Sequence, residues 1–224
     1  MKRKHDHRKK KGLGIPNLYL IGGGFLIAFA VVLFGYYAPY YNENLRSYSF
    51  QDLKERYPLV EEVEAYAVIK KLLQQQERLA RDATHPQTLD CFSLKQNADL
   101  RTFIQKQNPE FLKEEESNYM YSQYIVDIYI WDKDKFPNIQ YYTPKEKAEL
   151  MNPPYDDYWE LFHAKYGDYA LLKFSTPIFN QAKDKCVLIQ SEQGGYFWGS
   201  EKFLLLQKVN GQWKVIKEAY GRMS

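Results

Sequence analysis

Hydrophobic and polar positions follow three patterns along this 224-residue chain. The first is unbroken. Residues 18–38 read LYLIGGGFLIAFAVVLFGYYA and contain no charged side chain. About 20 apolar residues at ~1.5 Å each cross a ~30 Å hydrocarbon core as a helix, which satisfies its own backbone polar groups. Tyr36, Tyr37, Tyr40 and Tyr41 gather at one end and Tyr19 near the other, where amphipathic rings suit the headgroup level. A single membrane-spanning helix over 17–38 is the expectation. A cleaved signal peptide fits less well, because FGYYAPYY offers bulky residues and Pro39 in place of a small-residue cleavage site.

The second pattern is helical. Ser49 with Asp52 makes an N-cap arrangement. Residues 58–82 carry Val60, Val63, Ala67, Leu72, Leu73, Leu79 and Ala80 as a broad apolar face. Glu61, Glu62 and Glu64 come early and Lys70, Lys71, Arg78 and Arg81 late, in the order the helix dipole favours. Pro58 suits the first turn. The heptad is not sustained, so a helix packed on its own domain is expected rather than a coiled coil. Residues 83–98 read as a connection with a turn at His85-Pro86. Short helices are expected from Asp99 to Gln105 and from Asn108-Pro109 onward. Thr143-Pro144-x-Glu146 is a capping box with Pro at the first helical position, and Pro153-Pro154 ends that helix. Tyr155, Trp159, Phe162 and Tyr166 then share one helix face, closed by Gly167.

The third pattern is that of strands. SQYIVDIYIW (122–131) is rich in β-branched and aromatic residues. The stretches 169–174, 186–191, 203–209 and 212–218 follow at short intervals, the last two joined by Asn210-Gly211, a strong type I′ hairpin signal. Helices first and strands last predict an α+β domain with helices packed on a C-terminal antiparallel β-meander. The full expectation is a tail (1–16), a transmembrane helix (17–38), a linker (39–48) and an exported α+β domain (49–224).

The last third carries Trp159, Phe162 and Tyr166; S-T-P-I-F-N at Ser175 to Asn180; the pair Gly194 and Gly195; and Lys208, Asn210, Gly211, Trp213, Lys214 and Val215. Together these resemble a group of uncharacterised bacterial envelope proteins. The resemblance covers about 155–217, and the final hairpin is also similar to those of NTF2-like domains. It implies export and membrane tethering, with no activity attached.

Charge sharpens the orientation. Net charge is +3, but Lys2, Arg3, Lys4, Arg8, Lys9, Lys10 and Lys11 face one acid, Asp6, within the first eleven residues. The rest holds 24 basic and 27 acidic residues. The basic run beside the apolar stretch predicts a cytoplasmic N-terminus. The folded domain has no basic excess that would suggest nucleic acid, although the tail alone could bind anionic lipid or nucleic acid inside the cell. Hydrophobic residues at 45% and charged residues at 26% exclude a disordered, collagen-like or multi-span chain.

Chemistry is sparse. HExxH, GxSxG, P-loop and GxGxxG patterns are lacking. Asp132-Lys133-Asp134 opens like a calcium loop, but Pro137 stands where Gly is needed and Thr143 where Glu is needed. No metal or cofactor is expected. His5 and His7 read as members of the solvated tail. His85 and His163 are the only other histidines, and His163 beside an aromatic face reads better as a hydrogen-bonded, partly buried group than as a base. Cys91 and Cys186 either form a disulfide worth ~4–5 kcal/mol in the chain-entropy model, or stay apart as buried thiols. Of the aromatic residues (17% of the chain), Trp159, Phe162 and Trp213 are expected in the core. Asp156, Asp157 and Tyr158, with His163, are the candidate ligand or partner surface. The expected role is a membrane-anchored binding module for an envelope protein or glycan. The alternative is a wall hydrolase using Asp156, Asp157 or Glu160 near His163.

Overall fold

The structure is a computed structural model that describes residues 48–79, 87–125, 127–151, 157–167, 170–196 and 198–223. The basic tail, the apolar stretch 17–38 and all but the last residue of the expected linker lie outside the described residues. All described residues belong to one compact unit, Arg46–Ser224.

Among the described residues there are six α-helices: α1 (Phe50–Lys54), α2 (Val63–Leu79), α3 (Ala98–Gln105), α4 (Glu114–Ser122), α5 (Pro144–Met151) and α6 (Tyr158–Tyr166). Seven strands form one sheet: β1 (Thr88–Asp90), β2 (Gln140–Tyr142), β3 (Leu171–Phe174), β4 (Ile178–Phe179), β5 (Lys185–Gln193), β6 (Gly199–Val209) and β7 (Gln212–Met223). Their order is β2-β1-β3-β5-β6-β7, with β4 also paired to β5.

Local signals are reproduced where they concern caps and turns. Ser49 and Asp52 close a capping box on α1. Thr143 N–H donates to Glu146 Oε2 at 2.9 Å at the start of α5. Asn97 Oδ1 accepts from Leu100 N at 2.9 Å on α3. Asn210 at φ 53° and Gly211 at φ 76° turn β6 into β7, the left-handed pair that a two-residue type I′ turn requires.

The fold class departs from expectation in two ways. The sheet is mixed: β1 runs parallel to both β2 and β3, and only β3 through β7 form antiparallel pairs. The strand β1 comes from the segment read as a connection, and parallel pairing carries no local turn signature that would announce it. Among the described residues, moreover, no helix is long and apolar enough to cross a membrane. The expected architecture, with its strands in one C-terminal antiparallel meander, therefore does not stand, and none of the described helices supplies the expected membrane span.

Two smaller corrections share a cause. The described residues of 122–131 form no strand: Ser122 ends α4, and among them only Ile130 makes isolated bridges, to Leu59 and Phe92. Side chains occupy two of the segment's backbone donors, and scattered backbone carbonyls take others, so no continuous ladder forms. Ile125 N donates to Gln96 Oε1 at 2.8 Å and Tyr129 N to Ser93 Oγ at 3.0 Å. Pro58–Glu62 stays outside the helix because this stretch pairs with Ile130, through Val60 N to Ile130 O and Ile130 N to Pro58 O, both 3.0 Å. A turn at Asn108 replaces the helix start expected there, and α4 begins at Glu114.

The sheet is covered on both faces. Tyr66, Val68, Ile69, Leu72 and Leu73 of α2 meet Leu89, Leu172, Leu188, Leu204, Leu206 and Trp213. The other face carries α3 and α4 over Val187, Ile189, Phe203 and Leu205. Beside them α5 and α6 pack Leu150, Trp159, Phe162 and Tyr166 on Tyr142 and Leu171. Alternation along the strands assigns successive residues to these two faces, so Leu188 and Leu204 face α2 while Ile189 and Phe203 face α3.

Candidate functional site

Helix α6 organises one end of the domain. Trp159, Phe162 and Tyr166 are buried at helical spacing, so the predicted aromatic face is core. Their rings meet edge to face or tilted, with Trp159 and Phe162 centroids 5.3 Å apart and Phe162 and Tyr166 4.9 Å apart, which is the favoured geometry for paired quadrupoles. Tyr158 is half-buried and its hydroxyl bonds that of Tyr142. Burial, and then the Tyr158 phenol, push the Tyr142 hydroxyl far above the ordinary tyrosine range. Tyr158 is thus tied into the core edge and is not free surface.

His163 is half-buried as well, and both ring nitrogens are directed at backbone carbonyls: Nδ1 lies 3.1 Å from Gly167 O and Nε2 3.0 Å from Gly194 O. A neutral ring can donate to one of these and an imidazolium to both. With a proton on Nε2, in the neutral tautomer or the imidazolium, the ring ties the end of α6 to the turn between β5 and β6. Both nitrogens face backbone carbonyls.

Asp157 and Glu160 are exposed. A hydrogen bond from Asp157, then its charge, holds the Glu160 carboxyl above the usual carboxylate range. The two acids therefore do come together, but on open surface and with the imidazole engaged elsewhere. That arrangement lacks the water-excluding concavity that acid–base hydrolysis requires. Asp156 lies outside the described residues. Among the described residues, no three His, Cys, Asp or Glu side chains converge on a metal position.

The residues that the sequence reading missed stand next to His163. The β5–β6 turn exposes Tyr196 (60%) and Trp198 (56%). Gly194 N donates to Trp198 O at 3.2 Å, closing the turn. The indole lies against Gly194, where a Cβ would fall inside the van der Waals envelope of ring carbons Cζ3 and Cε3. The Cζ3–Cε3 edge of the indole is thereby held against backbone, while over half of the side chain is left to solvent. The available signal was the run G-G-Y-F-W itself, which puts large rings in a turn where polar residues are the rule.

A second cluster lies where the parallel strands β1 and β3 end. Lys173 Nζ pairs with Asp90 Oδ2 at 3.2 Å, both largely shielded, and Asp90 Oδ1 accepts from Phe92 N at 3.0 Å. Lys147 of α5 is half-buried nearby. Burial, and then the Lys173 charge, shift it toward its neutral form, with Asp90 opposing. These residues come from three elements far apart in sequence, so no motif announced them.

Cys91 and Cys186 are free and buried. Burial pushes both thiols well above their ordinary range. Cys91 follows β1 and Cys186 lies in β5, with β3 between. The registers Leu89↔Leu172 and Phe174↔Gln190 put Cys91 abreast of Gln190. Two strand spacings and four residues of rise separate the cysteines by roughly 16 Å, far beyond the ~7 Å Cα limit of a disulfide.

The chain matches no protein-family model, no curated protein and no solved structure. The residues that suggested envelope proteins are chiefly fold-building. Trp213 is buried, with Nε1 donating to Glu64 Oε2 at 3.2 Å. Ser175 Oγ accepts from Ile189 N at 2.9 Å. Buried Asn180 braces Glu116 and Asp184 at 2.8 and 2.7 Å.

Proposed function

We propose that this protein is a binding module of the bacterial cell envelope, held to the lipid bilayer through residues 17–38, with its N-terminus cytoplasmic and its α+β domain on the outer side. The basic residues ahead of an uncharged apolar run support the orientation. One observation carries the binding role: Tyr196 and Trp198 project from a turn that is braced by His163 and seated on Gly194. Large exposed rings on a rigid support are economical contact residues, since little side-chain freedom is lost on binding. The partner is an envelope protein or a glycan.

A photo-reactive phenylalanine analogue at position 196 tests this reading. Irradiated cells should give a discrete cross-linked product, absent from the same substitution at exposed Glu115 on α4. Equal labelling from both positions, or none from either, would remove the binding role. An export-dependent phosphatase fused at Ser224 should be active. An inactive fusion would reverse the assigned topology.

A further inference from the structure

The turn at Gly194–Trp198 presents an aromatic platform in a polar setting. Trp198 rests the Cζ3–Cε3 edge of its indole against Gly194, so a ligand is offered the remaining surface of a fixed indole. Gln193 beside it is exposed. The nearest acids are already engaged: Glu192 Oε1 accepts from Gln76 and Gln190, each at 2.6 Å, and Glu201 Oε1 from Asn97 at 3.3 Å.

Size limits the occupant. About 60% of Tyr196 and 56% of Trp198 is exposed. With ~150–250 Å² per aromatic side chain, that leaves on the order of 250 Å², whereas a stable protein interface takes ~800 Å² from each partner. The platform is too small to hold a folded protein on its own. It suits a small ligand with one flat apolar face and a polar rim. A β-linked pyranose with equatorial substituents has that form. Its axial C–H groups line one face and carry partial positive charge, which meets the negative face of an indole, while its hydroxyls stay hydrated at the edge.

We propose, on the reading of the domain as a binding module, that the β5–β6 turn is a glycan-binding site in which Trp198 stacks on a β-linked pyranose ring, with Tyr196 extending the platform to a neighbouring sugar.

Intrinsic fluorescence reads this directly. The chain has four tryptophans; Trp131, Trp159 and Trp213 are buried and Trp198 is exposed, so a ligand-induced shift reports on the platform. The full chain, in a detergent without a sugar headgroup, is titrated with the β-1,4-linked tetramers of N-acetylglucosamine and of glucose. At least one should give a saturable blue shift. Trp198→Ala should weaken binding at least tenfold, measured by calorimetry, with the melting temperature unchanged. Gly194→Ala should also weaken it, because the new methyl displaces a chemically intact indole, while Trp198→Phe should retain partial binding. Absence of saturation with both tetramers, or equal binding by Trp198→Ala, would overturn the proposal. So would quenching of Trp198 by bromine-labelled lipid in proteoliposomes, which would make the tip a bilayer contact. A cross-link from position 196 to an envelope protein without sugar binding would sink the glycan assignment and leave the binding-module reading standing. Loss of both would sink both.

Discussion

The two halves of the sheet are built by different means. Strands β5, β6 and β7 run 9, 11 and 12 residues and follow one another through turns, so each pairs with its sequence neighbour. Strands β1 and β2 have three residues each, and their pairing joins Thr88 to Gln140 and to Leu171. Closing those long connections costs chain entropy that three-residue ladders hardly offset. The antiparallel half thus carries stability, and the parallel half chiefly positions α5 and α6, hence His163 and the turn it braces. Leu188 in β5 and Leu89 in β1 test the contrast, because both are fully buried in the same cluster. By the cavity cost of such truncations, Leu188→Ala should destabilise by about 4 kcal/mol and Leu89→Ala by about 2–3 kcal/mol, since a short strand nearer an edge relaxes more readily. Urea unfolding measures both. Equal losses would mean that the two halves form one energetic unit.

The link between α2 and the long half is next in size. Glu64 accepts from Lys208 Nζ at 3.0 and 3.1 Å and from Trp213 Nε1 at 3.2 Å. The Lys208 hydrogen bond heads the influences that hold its carboxyl below the ordinary value of 4.5, against some desolvation. A carboxylate with a depressed folded value stabilises fully above its unfolded value, and that stabilisation fades as pH falls through the folded one. Glu64→Gln should therefore cost on the order of 1 kcal/mol at pH 7, discounted for partial exposure. The gap between variant and parent should narrow as pH falls below the ordinary value of 4.5 and through the lower folded one. A gap of constant size throughout the acid range would assign the effect to packing.

The same contrast decides what could be read from sequence. The Asn210-Gly211 turn, the Ser49 and Thr143 caps and the ring spacing of α6 are local codes, and each was legible because the physics lies within a few residues. The parallel pairing of β1 had no such code. SQYIVDIYIW has strand composition, yet Gln96 and Ser93, which lie about 30 residues earlier, take two of its donors, and propensity yields to tertiary context there. At the site, the aromatic helix face beside His163 points to a hydrogen-bonded, partly buried ring, and its nitrogens do face two carbonyls. Its partner Gly194 O lies 31 residues away, so the turn it braces stayed unseen, and Tyr158 went to the surface on its own polarity although Tyr142 holds its hydroxyl. Removing this brace is the third test. His163→Ala should cost about 1 kcal/mol and speed amide exchange in 191–200, leaving 203–209 unchanged. Unaltered exchange at the turn would show that Gly194 and Trp198 hold it without help.

The smallest expected effect bears on how the two halves are joined. Cys91 sits just past β1 and Cys186 within β5, so a bridge between them would fasten the parallel half to the antiparallel half. It would also close a loop of about 95 residues, worth roughly 4–5 kcal/mol in the chain-entropy model. The strand order puts β3 between them, and the register sets them apart along the strands. Both thiols are free and buried. A reductant should accordingly leave the melting temperature unchanged. A thiol reagent should react with neither cysteine in the native protein and with both after denaturation without reductant, because the buried thiolate is the disfavoured form. A several-degree drop on reduction would mean that β1 is not seated beside β3 as the register places it, and the division between the two halves would have to be redrawn from that strand outward.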